Sequence, residues 1–302
     1  MNSVNQWFTD GMTDSEVLQL RSVAHTDPGL HRTNNEDSGY VSARLLVVAD
    51  GMGGHAYGEV ASSTAISILA EMDKDLPHPT PRAPEFTDSE DDPEPSEEGN
   101  ELLAAMGGAI NEIADRLTSL AQEDPELATM GTTVTAFLWD GVSQFAIAHI
   151  GDSRAYLLRG DQYGQLTRDH TLVQSLVDEG KLTPEQAAVH PRRSVLMRAL
   201  QSGGTSDPDL YYWQAEPGDR YLLCSDGLTD VIPDDLIGQV LASVPDPDDA
   251  AATFIDLAKQ GGGPDNITCI IADLVASSAD PITEPLIIGA AESQATDQPN
   301  RV

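Results

Sequence analysis

Basic residues are scarce in this 302-residue chain: 16 Lys and Arg face 50 Asp and Glu, and the formal net charge is −34. Nucleic acids and anionic membrane surfaces attract clustered cations, so this composition excludes nucleic acid as the natural partner. Aromatic residues make up only 5% of the chain, and no apolar run reaches the roughly 18 residues that a spanning helix needs. The sequence therefore predicts no insertion into a membrane.

Cysteine is nearly absent as well. Cys224 and Cys269 are the only two, and each lies within an apolar run. The first twenty residues carry three acids and no Lys or Arg, which is unlike a secretory signal. Two thiols in apolar surroundings are typical of small core residues in a reducing compartment. The sequence therefore predicts a cytoplasmic location.

Proline and acidic residues mark the organisation of the chain. Residues 77–100 contain six prolines, and residues 85–101 hold nine carboxylates with no cation, a composition typical of a disordered loop. Residues 1–20 and 276–302 lack sustained periodicity and are predicted to be a flexible N-terminal extension and a C-terminal tail. One domain is therefore expected over residues 21–275, with the acidic loop inside it.

Hydrophobic spacing predicts the elements of this domain. Apolar residues spaced by three and four indicate helices at 61–72 and 102–120, and shorter helices are expected at 172–179, 184–189, 233–241 and 248–259. Strands are expected at 45–49, 132–139, 144–150, 154–159, 220–224 and 266–274. Short turns between 132 and 159 favour an antiparallel meander. The sequence predicts an α+β fold of four layers, α-β-β-α, with two antiparallel sheets flanked by helices.

Four aspartates fall at the ends of predicted strands, namely Asp50, Asp152, Asp226 and Asp265. Each alone is accounted for as a turn residue, but four from distant segments indicate a shared site. Converging carboxylates require protonation or a cation. All-oxygen ligands suit Mg²⁺ or Mn²⁺, whereas zinc prefers His or Cys at close spacing. Gly51 allows close backbone approach, so its carbonyl is a further candidate ligand.

The glycines after Asp50 also permit a different interpretation. Residues 51–56 match the G-x-G-x-x-A pattern of dinucleotide-binding proteins, and Glu71 follows at about the required distance of 20 residues. That pattern needs its acid at the end of a second parallel strand, whereas Glu71 lies in a predicted helix. The match is weak support for a nucleotide site.

Six ordered blocks carry a resemblance to a known family. They are HRTNNED at 31–37, DGMGGH at 50–55, MGTT at 130–133, HIGDSR at 149–154, SDGL at 225–228 and PDN at 264–266. Together they resemble the signature of metal-dependent protein serine/threonine phosphatases, the PPM or protein phosphatase 2C family. The match is closest to bacterial members that oppose Hanks-type Ser/Thr kinases, and it spans about residues 21–275.

The resemblance implies a centre of two Mn²⁺ or Mg²⁺ ions, where an activated water hydrolyses phosphoserine and phosphothreonine on proteins. Asp50 looks like the carboxylate that bridges both ions, and the Gly51 carbonyl looks like a ligand of the first. Asp226 and Asp265 resemble ligands of the second ion.

Further roles follow from the same resemblance. Asp152 is similar to a residue that, together with Asp226, binds a third, weaker ion in bacterial members, and Ser194 lies where some of them add a ligand. Glu36 resembles a residue that holds metal-bound water, and Asp37 its neighbour. Arg32 is similar to the arginine that grips the substrate phosphate, for which its planar guanidinium is well suited.

The general acid is less defined. Some family members have a histidine directly after the Asp-Gly pair, whereas this chain has Met52, so His55 and a metal-bound water are the alternative candidates. Residues 169–203 resemble the family's flap over the active site. The flap concentrates basic residues that could steer a phosphorylated segment: Arg192, Arg193 and Arg198.

Three functions compete on this pattern. The lead interpretation is a monomeric phosphatase whose partners are phosphorylated proteins, Ser/Thr kinases among them. A non-catalytic regulator on the same fold would be expected to have lost metal ligands, yet Asp50, Asp226 and Asp265 are all present. A small-molecule phosphohydrolase would share the site, so only its substrates would separate it from the lead interpretation.

Overall fold

Two antiparallel sheets form the centre of the fold in the computed structural model, which describes residues 17–53, 57–77, 97–204, 206–277 and 284–292. The first sheet runs in the order β1 (Leu18–Asp27), β12 (Ile267–Ala276), β11 (Arg220–Cys224), β7 (Arg154–Arg159) and β8 (Gln162–Gln165). The second runs in the order β10 (Asp209–Gln214), β6 (Gln144–Ile150), β5 (Val134–Trp139), β3 (Leu45–Met52), β2 (Asp37–Val41) and β13 (Leu286–Gly289). Two short strands adjoin the end of β3: β4 (Gly131–Thr132) pairs with β3, and β9 (Leu200–Gln201) pairs with β4.

Helices cover the outer face of each sheet. α1 (Gly58–Asp75) and α2 (Glu97–Glu123) pack on the second sheet, and α6 (Asp234–Ser243) and α7 (Pro247–Gln260) pack on the first. Three short helices lie near one end of the sandwich: α3 (Leu172–Asp178), α4 (Pro184–Ala188) and α5 (Asp226–Thr229). A 3₁₀ turn spans Pro125–Thr129. The predicted α-β-β-α sandwich is confirmed.

Strand alternation builds the layers. On β3, Leu46 and Val48 face the core between the sheets, whereas Leu45 and Val47 pack against α1 and α2. Because successive side chains point to opposite faces, a strand buried on both faces reads as a continuous apolar run. Cys224 and Cys269 stand directly opposite each other on β11 and β12, as free, buried thiols beneath α6 and α7.

The predicted meander over 132–159 is wrong at its second turn. β5 and β6 form the expected hairpin, but β7 belongs to the other sheet. Gly151, with a φ of +114°, redirects the chain from one sheet to the other, and Asp152 follows at the crossing. The sequence does not distinguish a hairpin from a crossing between the sheets at this turn, because β6 and β7 are both largely apolar and buried.

The folded domain extends beyond its predicted limits of 21 and 275 at both ends. β1 begins at Leu18 and pairs with β12 along its full length, with Leu18 and Leu20 buried. From the predicted C-terminal tail, residues 286–289 form β13 and pair with β2. Residues 97–100 of the predicted acidic loop belong to α2, and the rest of that loop from 78 to 96 lies outside the described residues.

The dinucleotide interpretation fails on topology. β3 pairs antiparallel with β2 and with β5, so the strand before the glycines has no parallel neighbour to supply the ribose-binding acid. Across the described ranges, no helix has the length and apolar character that crossing a membrane would require.

Candidate metal centre

The predicted carboxylates come from both sheets and meet at one end of the sandwich. Asp37 and Asp50 are cross-strand partners on β2 and β3. Asp226 begins α5 directly after β11, and Asp265 lies just before β12, which is the neighbour of β11. A β-carbon on Gly227 would stand 1.9 Å from the Asn266 carbonyl oxygen, so glycine is required where these two segments touch.

Electrostatics show that these carboxylates interact. Burial raises the pKa of Asp50 well above its usual value, and the charges of Asp37 and Asp226 raise it further. Burial likewise raises the pKa of Asp226, followed by the charges of Asp152 and Asp230. Half-buried carboxylates that repel one another are stabilised by a cation.

The backbone around Asp50 is fixed by hydrogen bonds from Thr133, which lies between β4 and β5. The Asp50 amide donates to the Thr133 hydroxyl over 3.0 Å, and the Asp50 carbonyl accepts from the Thr133 amide over 2.9 Å. These bonds divide the predicted strand 132–139 into β4 and β5 at Thr133.

Gly51 lies against the start of α1. A β-carbon on Gly58 would stand 2.6 Å from the Gly51 carbonyl carbon and oxygen, and 2.9 Å from Glu36 Oε2. The Gly51 amide donates to the Glu36 carbonyl over 3.2 Å. The two glycines therefore bring the Gly51 backbone and the Glu36 carboxylate close together at the start of α1.

Two residues without a predicted role hold this end together. The Ser225 hydroxyl donates to Asp37 Oδ2 over 2.7 Å and accepts from the Thr268 amide over 3.0 Å. Burial raises the pKa of Asp37 to about 6, and the Ser225 hydrogen bond opposes that rise. Asn266 accepts from the Glu36 amide over 2.8 Å. Both residues stand in the recognised sequence blocks, but their partners lie about 190 or more residues away in the chain.

A cavity of about 780 Å³ opens beside this end of the sandwich, between the flap and α5. Asp152, Asp226, Arg193 and Ser194 all contribute to its lining. Burial raises the pKa of Asp152 to about 7, and the charge of Asp169 adds to the effect. Ser194 thus shares a cavity with both predicted ligands of a third ion.

The predicted arginines differ in their partners. Arg32 lies 2.7 Å from Asp265, and although burial opposes it, this carboxylate raises the pKa of Arg32. Arg193 pairs with Asp230 at 3.0 Å, and Arg198 pairs with Asp209 at 2.9 Å. Arg192 is exposed. His55, the candidate general acid, lies outside the described residues.

The donor set fits hard divalent ions. Asp50, Asp226, Asp265 and the Gly51 carbonyl offer oxygen ligands alone, and the raised pKa values of Asp50 and Asp226 reflect burial first and neighbouring negative charges second. Within the described ranges, no three Asp, Glu, His or Cys side chains stand close enough to enclose an ion. The carboxylates are gathered at one end without being drawn into one coordination sphere.

Fold and site together define a two-sheet sandwich with an oxygen-rich candidate metal centre at one end. Residues 31–266 match the model of the family described as Protein phosphatase 2C, and the chain belongs to that family.

Named relatives agree with this assignment. The serine/threonine protein phosphatase PstP of Mycobacterium tuberculosis is 45% identical over 274 residues, which are 91% of this chain and 48% of PstP. The chain therefore spans about half the length of that curated relative. The serine/threonine phosphatase stp of Listeria innocua is 35% identical, over 84% of this chain and 96% of stp.

A solved structure shares the architecture. The catalytic domain of a serine/threonine protein phosphatase PstP, in complex with two manganese ions, is 44% identical and superposes with a TM-score of 0.73. The match covers 85% of this chain and 99% of that one.

Proposed function

We propose that this chain is a protein serine/threonine phosphatase that hydrolyses phosphoserine and phosphothreonine esters with two Mn²⁺ or Mg²⁺ ions. The observation that carries the proposal is the gathering of Asp50, Asp226 and Asp265 at one end of the sandwich, where the pKa values of Asp50 and Asp226 are raised by burial and mutual repulsion. Family membership and the manganese-containing relative support the same chemistry.

The roles proposed for the ligand residues are those that the family resemblance implies, and the gathering of these residues at one end of the sandwich supports them. Asp50 would bridge the two ions, the Gly51 carbonyl would bind the first, and Asp226 with Asp265 would bind the second. When bound, two such ions supply a deprotonated water at neutral pH and neutralise charge on the phosphoryl oxygens. Asp152, Asp226 and Ser194 line one cavity, which supports a third, weaker ion there.

Substrate binding depends on Arg32. Its side chain is half exposed and pairs with Asp265, so it can turn toward an incoming phosphate when an ion takes over that carboxylate. Its planar guanidinium can hold two phosphate oxygens at once, which a lysine cannot do. Glu36, fixed through its backbone by Asn266 and Gly51, would accept a hydrogen bond from water at the centre, and the buried Asp37 would be its neighbour.

The proposal is tested by hydrolysis of a phosphothreonine peptide with Mn²⁺. Asp50→Asn and Asp226→Asn should each lower kcat/KM by more than about 100-fold. Substituting a residue that only supports a metal ligand already lowers metal affinity or activity about 10- to 100-fold, and these two residues would be ligands themselves. Asp256→Asn, at an exposed position on α7, is the matched control and should retain activity. Full activity of both site variants would refute the proposed centre.

A second arm of the experiment separates the competing functions. A phosphopeptide and small phosphorylated metabolites are compared at equal concentration. Preference for the metabolites would favour a small-molecule phosphohydrolase, and Mn²⁺ binding without hydrolysis of either would favour a regulator.

We further propose that the enzyme works as a monomer in the cytoplasm and that phosphorylated Ser/Thr kinases are among its substrates. The free thiols Cys224 and Cys269 are compatible with a reducing compartment. The kinase assignment rests on the resemblance of the motifs to bacterial phosphatases that oppose such kinases. Dephosphorylation of an autophosphorylated kinase, with the Asp50→Asn variant as control, tests it.

A further inference from the structure

The backbone of Gly151 is held at two points by His170, at the base of the flap. The Gly151 amide donates to His170 Nδ1 over 3.1 Å, and the His170 amide donates to the Gly151 carbonyl over 2.8 Å. Gly151 directly precedes Asp152, and its φ of +114° disfavours other residues. The position of the candidate ligand Asp152 therefore depends on contacts made by His170.

The same histidine lies where the flap leaves and rejoins the sandwich. Its carbonyl accepts from the Met197 amide over 2.7 Å, and its Nε2 lies 3.1 Å from Asp209 Oδ2. Asp209 also accepts from the Arg198 guanidinium over 2.9 Å. His170 thus connects both ends of the flap to the loop that carries Asp152.

The hydrogen bonds assign the proton on the His170 ring. Nδ1 faces an amide N–H, which only donates, so Nδ1 is unprotonated and Nε2–H donates to Asp209. Burial lowers the pKa of His170. Burial, with the charge of His170, lowers the pKa of His149 to about 4; the two ring centroids are 4.7 Å apart. Both rings are therefore neutral at neutral pH, and Nδ1 remains an acceptor.

His149 supports the same segment from β6. In its neutral form, Nε2–H donates to the Arg168 carbonyl over 3.0 Å, because a carbonyl can only accept. Nδ1 lies 3.0 Å from the Thr135 hydroxyl oxygen, and that hydroxyl donates to the Ser153 carbonyl over 3.0 Å. The chain that enters the flap is thereby fixed two residues before His170.

From Gly151 the contacts continue inward to Asp50. A β-carbon on Gly151 would stand 2.5 Å from Thr133 Cγ2, so the two residues touch closely. The Thr133 hydroxyl lies 2.7 Å from the Ser153 hydroxyl and accepts from the Asp50 amide. The flap base, the Asp152 loop and Asp50 therefore form one connected set of packed and hydrogen-bonded groups.

We propose that His170 is a positioning residue of the metal centre, which transmits the position of the flap through Gly151 to Asp152 and, by way of Thr133, to Asp50. The inference rests on the phosphatase function proposed above. It adds a route by which a substrate segment held by the flap changes how strongly the centre binds its ions. His170 itself touches neither substrate nor ion.

Two substitutions separate the two sides of the ring. His170→Asn keeps an oxygen acceptor near the position of Nδ1 and loses the donor to Asp209, whereas His170→Gln keeps an amide donor near Nε2 and loses the acceptor for Gly151. Three measurements are compared on the full chain: Mn²⁺ binding by calorimetry, amide hydrogen exchange of residues 150–154, and kcat and KM for a phosphothreonine peptide. Urea unfolding of each variant reports its stability.

We expect His170→Gln to raise the Mn²⁺ dissociation constant about tenfold or more and to speed exchange at 150–154, while His170→Asn stays within about threefold of wild type. Equal impairment of both variants would overturn the proposal, since the ring would then only fill space. Wild-type behaviour of both would also overturn it, as would the reverse order, which would move the effect to Asp209.

The two proposals fail in different ways. A wild-type chain that binds Mn²⁺ yet leaves the phosphopeptide intact would refute the phosphatase function. In that case calorimetry and hydrogen exchange still measure the Gly151 contact, because neither requires turnover.

Discussion

The close contact between Gly51 and Gly58 makes a quantitative prediction about Gly58→Ala. Replacing glycine by alanine within a helix normally stabilises it, by up to about 1 kcal/mol. Here the new methyl group would stand 2.6 Å from the Gly51 carbonyl carbon and oxygen. Overpacking of this kind costs about 1–3 kcal/mol, and Gly58 is the first residue of α1, where helix propensity contributes little. The substitution should therefore be destabilising.

Gly108→Ala is the matched control. Gly108 lies inside α2, and a β-carbon there would meet nothing within 4 Å. The same chemical change should stabilise the protein by about 0.5–1 kcal/mol. The two variants should thus change the free energy of unfolding in opposite directions and differ by about 1.5–4 kcal/mol. Urea unfolding measures this difference, with an unchanged denaturant slope as the condition for comparing midpoints.

The same variant tests the predicted role of the Gly51 carbonyl. To relieve the clash, Gly58→Ala must displace either the start of α1 or that carbonyl, so Mn²⁺ binding measured by calorimetry should weaken about tenfold or more. Gly108→Ala should leave it unchanged. If Gly58→Ala stabilises the chain like its control, the two backbones do not touch as described. If it destabilises the chain but binds Mn²⁺ normally, the start of α1 has moved instead of the carbonyl, and the expected weakening of Mn²⁺ binding is refuted.

Two further predictions concern side chains near the centre. Ser225→Ala removes the donor to Asp37 and leaves the Thr268 amide without its acceptor, so it should lower stability by about 2 kcal/mol in urea unfolding; a loss below about 0.5 kcal/mol would contradict the contact. Arg192→Ala should raise KM for a phosphopeptide more than for a small aryl phosphate, because the exposed guanidinium can meet only the longer substrate. Arg193→Ala is its comparison, as that side chain is already paired with Asp230, and equal changes in KM for both substrates would refute steering by Arg192.

The sequence predicted the layers and the gathered aspartates for the same reason. Asp50 and Asp226 each end an apolar run and precede a glycine, so a local pattern marks both the strand and the place where it stops. The direction that the chain takes after a strand ends is set by contacts with distant segments rather than by the neighbouring residues. Gly151 carries the chain into the opposite sheet, and the crossing differs from a hairpin in that β7 pairs with the distant strand β11.

Supporting residues were harder to predict because their partners are distant. Ser225 and Asp37 are 188 positions apart in the sequence, and no neighbouring residue indicates that they form a hydrogen bond. His170 is similar, since its importance lies in a glycine backbone 19 residues earlier. β13 escaped prediction because it is four residues long and gains its stability by pairing with β2.

The opposing thiols on β11 and β12 have a practical consequence for labelling. Cys224 and Cys269 are fully buried, and burial raises the pKa of Cys269 to about 12 and that of Cys224 further, so neither is a thiolate at neutral pH. Maleimide reagents should leave the native chain unmodified. A single cysteine introduced on the flap, as in Arg192→Cys, would then be the one reactive position, and a fluorophore attached there would report flap movement with both native thiols left in place.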